Sequence, residues 1–408
     1  MEDKHKAMIT HFIFSLVICL SFVLIKTRAS GPINLTLVGS SAVSKGAFCL
    51  DGSLPAYNFD EGFGDGVSNW LVYLEGGAWC STKHDCNNRK YSYLGSSSHM
   101  KEAYFSGILD STKTNNPDFY NWNRVYVRYC DGSSFMGDVK EIDPVTNLHY
   151  RGARIFDAVM EELLAKGMKD ASNVILTGCS AGSLATILHC DGFRTLFPGT
   201  TRVKCISDGG FFIRAKDLSG AKEREDYFGG VVALHEIAKR LPSSCTSRMD
   251  PGLCFFPENL VGNIQTPLFL LNSAFDSWQI GSNLEPPLVD QPGWNNCTKM
   301  NLNLCTTSQL QLIKDFKTFF LQALRETGKS STRGMLIHSC YLHCHTYGGT
   351  WENFRTLENK TLAKVIGDWY FDRASYQEID TKNLTPQNCS LRKLNPLPYQ
   401  KVSILYHI

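Results

Sequence analysis

The chain has 408 residues, 43% of them apolar and 20% charged, which excludes a disordered chain and suffices for one large α/β domain or two small ones. Its formal charge of +2 comes from the first thirty residues, where Lys4, Lys6, Lys26 and Arg28 face Glu2 and Asp3, so the remainder is neutral. A neutral body offers no electrostatic footprint for a nucleic-acid partner.

The chain opens on an apolar run, Met8 to Ile25 (MITHFIFSLVICLSFVLI), preceded by Lys4 and Lys6 and followed by the small residue Ala29 in a Thr-Arg-Ala-Ser context. Charge, apolar run and small residue in that order predict a secretory signal peptide over residues 1–29. The run also reaches the lower limit of a membrane span, so an uncleaved anchor is the competing reading. No second stretch of this kind occurs, and the mature chain is expected to act without a membrane.

Residues 30–380 alternate short apolar runs with helical patterns, the rhythm of a mostly parallel sheet covered by helices. Strands are predicted at 69–74, 124–129, 173–177, 203–207, 267–271 and 334–338, each ending in polar or Gly-rich residues. Ile155, Val159 and Leu163 share one face of a helix over 154–164 that Gly167 stops. A second helix is predicted over 183–193. Stretches 241–257 and 285–293 read as proline-containing surface loops, and residues 381–408, with Pro386, Pro396 and Pro398, as an irregular tail. No repeat or low-complexity tract divides the chain, so one domain with loop insertions is expected.

Removal of Cys19 with the signal leaves fourteen of the fifteen cysteines. An even, high count predicts disulfides formed in an oxidising compartment. Short-loop pairs Cys80/Cys86, Cys245/Cys254 and Cys297/Cys305 are plausible; the full connectivity is not readable from spacing. Five N-x-S/T sequons, at Asn34, Asn296, Asn359, Asn383 and Asn388, suit the same compartment. His84, His343 and His345 lie near cysteines, but no C-x₂-C pair exists to build the usual zinc site, so no metal is expected.

The chemistry centres on Gly178-Cys-Ser-Ala-Gly182, which fits G-x-S-x-G and lies between a predicted strand and a predicted helix. In an α/β-hydrolase-type sheet the two glycines permit the tight turn that lifts the serine hydroxyl above the strands, making Ser180 the candidate nucleophile. The Ala181 amide, at the helix N-terminus, would point at a developing oxyanion. Serine needs a histidine base and a carboxylate, expected in the chain order Ser, acid, His. Asp208 and Asp276 both follow later strands, and order alone admits either. His338, His343 and His345 cluster in or after the last strand, and pattern does not choose between His343 and His345; His407 also qualifies by order but sits near the terminus. Leu74-Glu-Gly-Gly-Ala-Trp-Cys80 follows an early strand and is similar to the glycine loops whose amides complete an oxyanion hole, Gly76 and Gly77 allowing close backbone approach.

With these segments in hand the chain resembles the plant pectin acetylesterase family, and more distantly the Notum-type carboxylesterases, from about Val43 to Asp372. The stretches that carry the resemblance include NWLVYLEGGAWC (69–80), GARIFDAVMEELLAKGM (152–168), GCSAGSLATILHCD (178–191), TPLFLLNSAFDSWQI (266–280) and RGMLIHSCYLHC (333–344). The resemblance implies Ser180 as nucleophile, Asp276 of Asp-Ser-Trp-Gln as acid, His343 of Ser-Cys-x-x-His-Cys as base, and the amides of Gly77, Ala78 and Ala181 as the oxyanion hole. It implies hydrolysis of acetyl esters on pectin in the cell wall, through an acetyl-serine intermediate and with no cofactor. A secreted monomer is expected. The competing expectations are an esterase for other acyl groups, such as lipid esters, and a wall-binding homologue without turnover.

The chain departs from the family pattern at four places. Ser183 replaces a glycine after the elbow, and Ala78 replaces the third glycine of Glu-Gly-Gly-Gly-Trp-Cys. The usual His-Cys-Gln-Thr-Glu is His343-Cys-His-Thr-Tyr347 here. A cysteine-rich C-terminal tail is missing, which leaves Cys389 with no assigned partner.

Overall fold

The computed structural model describes residues 31–389 apart from 219, 285–290, 301 and 388; the expected signal peptide, the sequon at Asn388 and most of the expected tail lie outside the described residues. Nine strands form one sheet among them: β1 (Leu35–Leu37), β2 (Ala56–Asp60), β3 (Asn69–Leu74), β4 (Asn123–Val127), β5 (Asn173–Cys179), β6 (Arg202–Asp208), β7 (Leu268–Asp276), β8 (Gly334–Leu342) and β9 (Gln377–Ile379). Their order is β1-β2-β4-β3-β5-β6-β7-β8-β9. β1 and β2 join antiparallel, and every pair from β4 to β9 is parallel.

Parallel strands need cover on both faces, and β3, β5, β6 and β7 are accordingly buried almost end to end. Alternation sorts their side chains. Val72, Leu74, Val174 and Leu176 enter the core shared with helices α1 (Gly152–Ala165), α2 (Ala181–Arg194), α3 (Ala221–Leu234) and α4 (Thr307–Glu326). Leu71, Tyr73, Ile175 and Ile206 enter the opposite core, closed by α5 (Leu362–Tyr370). The result is an α/β-hydrolase-type sheet flanked by helices.

All six predicted strands and both predicted helices are present. β7 and β8 run past their expected ends because buried polar residues there find partners: Asn272 Nδ2 reaches Asp276 Oδ2 at 3.2 Å, and Ser273 Oγ donates to the Cys340 carbonyl. The sequence reading passes over α3, α4 and α5 and the short strands β1, β2 and β9. Stretch 241–257 is no surface loop. Its proline and glycine mark short helical turns, and Cys245, Cys254, Phe255 and Phe256 are buried, the last ring 4.6 Å from Phe228 of α3.

All fourteen cysteines are paired. The three short-loop bridges form as expected, and Cys49–Cys130, Cys179–Cys344, Cys190–Cys205 and Cys340–Cys389 join distant segments. Cys389 thus has its partner on β8, and the described start of the tail is fastened there too, Gln387 N donating to the Ser339 carbonyl at 2.7 Å. Asn34, Asn296 and Asn359 are exposed, whereas the amide nitrogen of Asn383 donates to Asp380 Oδ2 at 2.6 Å.

Candidate active site

β5 ends at Cys179 and α2 begins at Ala181, leaving Ser180 alone in the turn with φ 58° and ψ −125°. A left-handed φ costs a non-glycine residue about 1–2 kcal/mol, so the surrounding fold imposes it. The neighbouring glycines show how. A Cβ on Gly178 would meet the carbonyl oxygens of Gly182 and Leu74 at 2.6 Å, and one on Gly182 would collide with the Leu74 carbonyl. Only glycine lets the helix start close against the end of β3. Ser180, 7% exposed, is anchored by its amide, which donates to the Asp208 carbonyl at 3.1 Å.

The structure separates the two acids and three histidines into two pairs. His343 Nδ1 lies 2.8 Å from Asp276 Oδ2. The other Asp276 oxygen accepts from the amides of Trp278 and Gln279 at 3.0 Å, the first turn of the short helix Ser277–Asn283. The carboxylate is an acceptor, so the His343 proton sits on Nδ1 and leaves the Nε2 lone pair available. Nε2 is buried and has no hydrogen-bond partner among the described residues. The bond from a serine hydroxyl to its base often tightens only around a substrate.

The second pair is Asp208 with His345, at 2.6 Å between Oδ1 and Nδ1. Asp208 Oδ2 also accepts from the amides of His345 and Thr346 and from Thr346 Oγ1, each at 2.7 Å. The other His345 nitrogen is 2.7 Å from His338 Nε2, and His338 Nδ1 accepts from the Cys340 amide at 3.1 Å. Every ring nitrogen of this pair of histidines is engaged and all three residues are buried. The group is therefore a brace under the loop that carries His343, with no nitrogen free to take a proton.

The disulfide between Cys179 and Cys344 joins the residue before Ser180 to the residue after His343, with Cα atoms 5.8 Å apart. Nucleophile candidate and base candidate are thus held by one covalent link. On the third side, Gly76 packs so close that an added Cβ would lie 3.0 Å from Ser180 Cβ. Gly77 has φ 149° and Ala78 φ 53°. Among the described residues, no hydrogen bond leaves the amide of Gly77, Ala78 or Ala181, so all three donors are available to a ligand. Beyond Ala78, the Trp79 ring meets Phe212 at 5.0 Å and Trp278 at 5.6 Å, and Trp278 stacks on His343 at 5.9 Å. These rings form one aromatic cluster that reaches His343.

A pectinacetylesterase family model matches residues 26–390. The chain belongs to the pectinacetylesterase family. Pectin acetylesterase 11 of Arabidopsis thaliana is 48% identical over 384 residues, 92% of this chain and 96% of that protein. Pectin acetylesterase 7 of the same plant is 49% identical over 363 residues, 87% and 92% of the two chains. The fold is shared with the Wnt deacylase Notum from Drosophila, at 21% identity and a TM-score of 0.72 over 90% of this chain and 100% of that one. As a pectinacetylesterase, the protein is a carboxylic ester hydrolase.

Ala78 holds a left-handed φ that glycine adopts without strain. Ala78→Gly is expected to raise the stability of this pectinacetylesterase by about 1 kcal/mol, the strain relieved exceeding the entropy that glycine adds to the unfolded chain. A urea midpoint that falls instead would show that the methyl packs usefully against the core.

Two other places in the pectinacetylesterase invite a functional reading and lack the chemistry. His235 Nε2 lies 3.7 Å from the sulfurs of both Cys80 and Cys86, but these form a disulfide and offer no thiolate to a metal. A cavity of about 290 Å³, lined by Asp65, Asn69 and Trp122 among others, opens at the amino ends of β3 and β4, the end of the sheet away from Ser180. Sequence reasoning left the Cys179–Cys344 link unassigned, although a cysteine beside both the serine and the histidine was a readable sign.

Proposed function

We propose that this pectinacetylesterase removes acetyl groups from pectin in the plant cell wall by a serine mechanism. The observation that carries the reading is the His343–Asp276 pair, whose unpartnered Nε2 is tied through Cys344 and Cys179 to Ser180. Ser180 Oγ attacks the acetyl carbonyl carbon while His343 Nε2 takes its proton. The oxyanion is received by the amides of Gly77, Ala78 and Ala181, and Asp276 stabilises the imidazolium. Collapse expels the sugar hydroxyl, protonated by His343, and leaves acetyl-Ser180. Water, deprotonated by His343, then releases acetate and restores the serine.

The pectin acetylesterases of Arabidopsis thaliana at 48% and 49% identity support acetyl as the acyl group. Seven disulfides, the apolar leader and the exposed sequons Asn34, Asn296 and Asn359 support passage through the secretory pathway. No helix of the described residues is long and apolar enough to cross a membrane. The test is acetate release from acetylated pectin by the wild type and by Ser180→Ala, beside p-nitrophenyl esters of two and more carbons. Release by the wild type alone, with acetate the preferred ester, is expected. Equal release by both proteins would refute the serine mechanism, and preference for long chains would point to a lipid-type ester instead.

A further inference from the structure

Ser134 lies in the turn after β4 and is fully buried. It and Phe135 adopt φ of 55° and 56°, two consecutive non-glycine residues in the left-handed region. Each costs about 1–2 kcal/mol, and such a pair persists only where neighbouring contacts over-determine it. Those contacts are specific. Asp131 Oδ2 accepts from the amides of Ser133 at 2.9 Å and Phe135 at 3.1 Å, which fixes the turn. The turn then places the Ser134 hydroxyl between the Trp79 ring nitrogen and the Ala181 carbonyl, and its amide against the Tyr129 hydroxyl.

Ser134 Oγ donates to the Ala181 carbonyl at 2.7 Å and accepts from Trp79 Nε1 at 2.7 Å. Its amide donates to Tyr129 Oη at 2.9 Å, and that hydroxyl donates to the Ala78 carbonyl at 2.9 Å. One buried serine thus spans from the Ala78–Trp79 loop to the start of α2. We infer that Ser134 is a positioning residue for ester hydrolysis, setting the distance between the Ala78 and Ala181 amides that receive the oxyanion. The inference rests on the serine mechanism proposed above. Ser134 touches neither substrate nor the Ser180, His343 and Asp276 side chains; it acts through the backbone it holds. Donors misplaced by about 1 Å can lose up to roughly 100-fold in rate, because the oxyanion exists only in the transition state and its neighbours are not rebuilt around it.

The experiment compares Ser134→Ala and Tyr129→Phe with the wild type on p-nitrophenyl acetate. Thr201→Val is the control, removing a buried hydroxyl that bonds the Ala171 carbonyl far from the serine. Ser134→Ala is expected to lower kcat by about 10- to 100-fold with KM within twofold, and to weaken a boronic-acid oxyanion mimic by the same factor. The pH profile keeps its shape, because the base and its acid are untouched. Tyr129→Phe shows the same pattern more weakly, and Thr201→Val changes stability alone. Ser134→Gly, which removes the hydroxyl and relieves the left-handed φ together, covers the case in which the alanine variant does not fold; it too must lose kcat. Wild-type kcat in either soluble Ser134 variant, or a rise in KM at constant kcat, would overturn the inference. Ser180→Ala, assayed beside them, keeps the two readings apart: its activity fails only if the serine mechanism holds, whatever Ser134 does.

Discussion

His343→Ala is expected to lower kcat on p-nitrophenyl acetate by about 10⁴- to 10⁶-fold, and combining it with Ser180→Ala to lower it no further. The lack of additivity is the informative part. If Ser180 and His343 act as one unit, either loss leaves only binding and the oxyanion donors, and a second loss has nothing left to remove. Asp276→Asn is expected to cost about 10⁴-fold although the side chain keeps its size. An asparagine amide turned toward His343 would donate where the carboxylate accepted, placing the ring proton on Nε2 and closing the lone pair that must take the serine proton. Steady-state rates on the three variants, with fluorophosphonate labelling of residue 180, check this. Additive losses, or an Asp276→Asn enzyme at wild-type rate, would refute the assignment of roles.

The second large effect is on stability. Asp208→Ala strands four buried donors at once, the amides of His345 and Thr346, His345 Nδ1 and Thr346 Oγ1. An unsatisfied buried donor costs about 1–3 kcal/mol, and with partial relaxation the expected loss is about 4–5 kcal/mol, read as a lower urea midpoint. The wild type should also weaken with acid in two stages. Burial, with His345 beside it, holds the His338 imidazole well below its ordinary value. A histidine depressed in the folded state favours the unfolded one once protons are available there, so stability is full above about pH 6.5 and falls as pH drops below it. Burial works to raise the Asp208 carboxyl, but the adjacent His345 and the bonds from His345 and Thr346 outweigh it and hold it below the usual range. Its contribution is present above about pH 3.9 and disappears as pH falls through the folded-state value. His338→Gln should reduce the first stage in part, since burial also holds His189 and His235 down to about 4 and depresses His149, and should leave the second stage unchanged. An Asp208→Ala protein with the wild-type midpoint would contradict the bracing role.

These two acids show how far the sequence can be read. Strand runs and the G-x-S-x-G turn placed Ser180 correctly between a strand and a helix, because crowding at Gly178 and Gly182 leaves a local mark. Asp208 and Asp276 both end parallel strands and both meet a histidine of the same loop, so period and order treat them alike. What separates them is which histidine keeps a nitrogen unengaged, a fact set by His338 on the neighbouring strand and invisible in spacing. The long α4 went unread although Thr306 and Gln309 form a capping box at its start. The edge strands β1 and β9 are three residues each, too short for any alternation to register.

The bridge between Cys179 and Cys344 also orders events in time. The two cysteines are 165 residues apart, so at about 5–20 residues per second a growing chain carries the serine turn for roughly 10–30 s before the histidine loop is synthesised. A truncated chain that stops short of residue 343 therefore lacks the base proposed for Ser180. On the roles proposed here, the nascent esterase is harmless to the esters around it until the longest disulfide loop among the described residues can close.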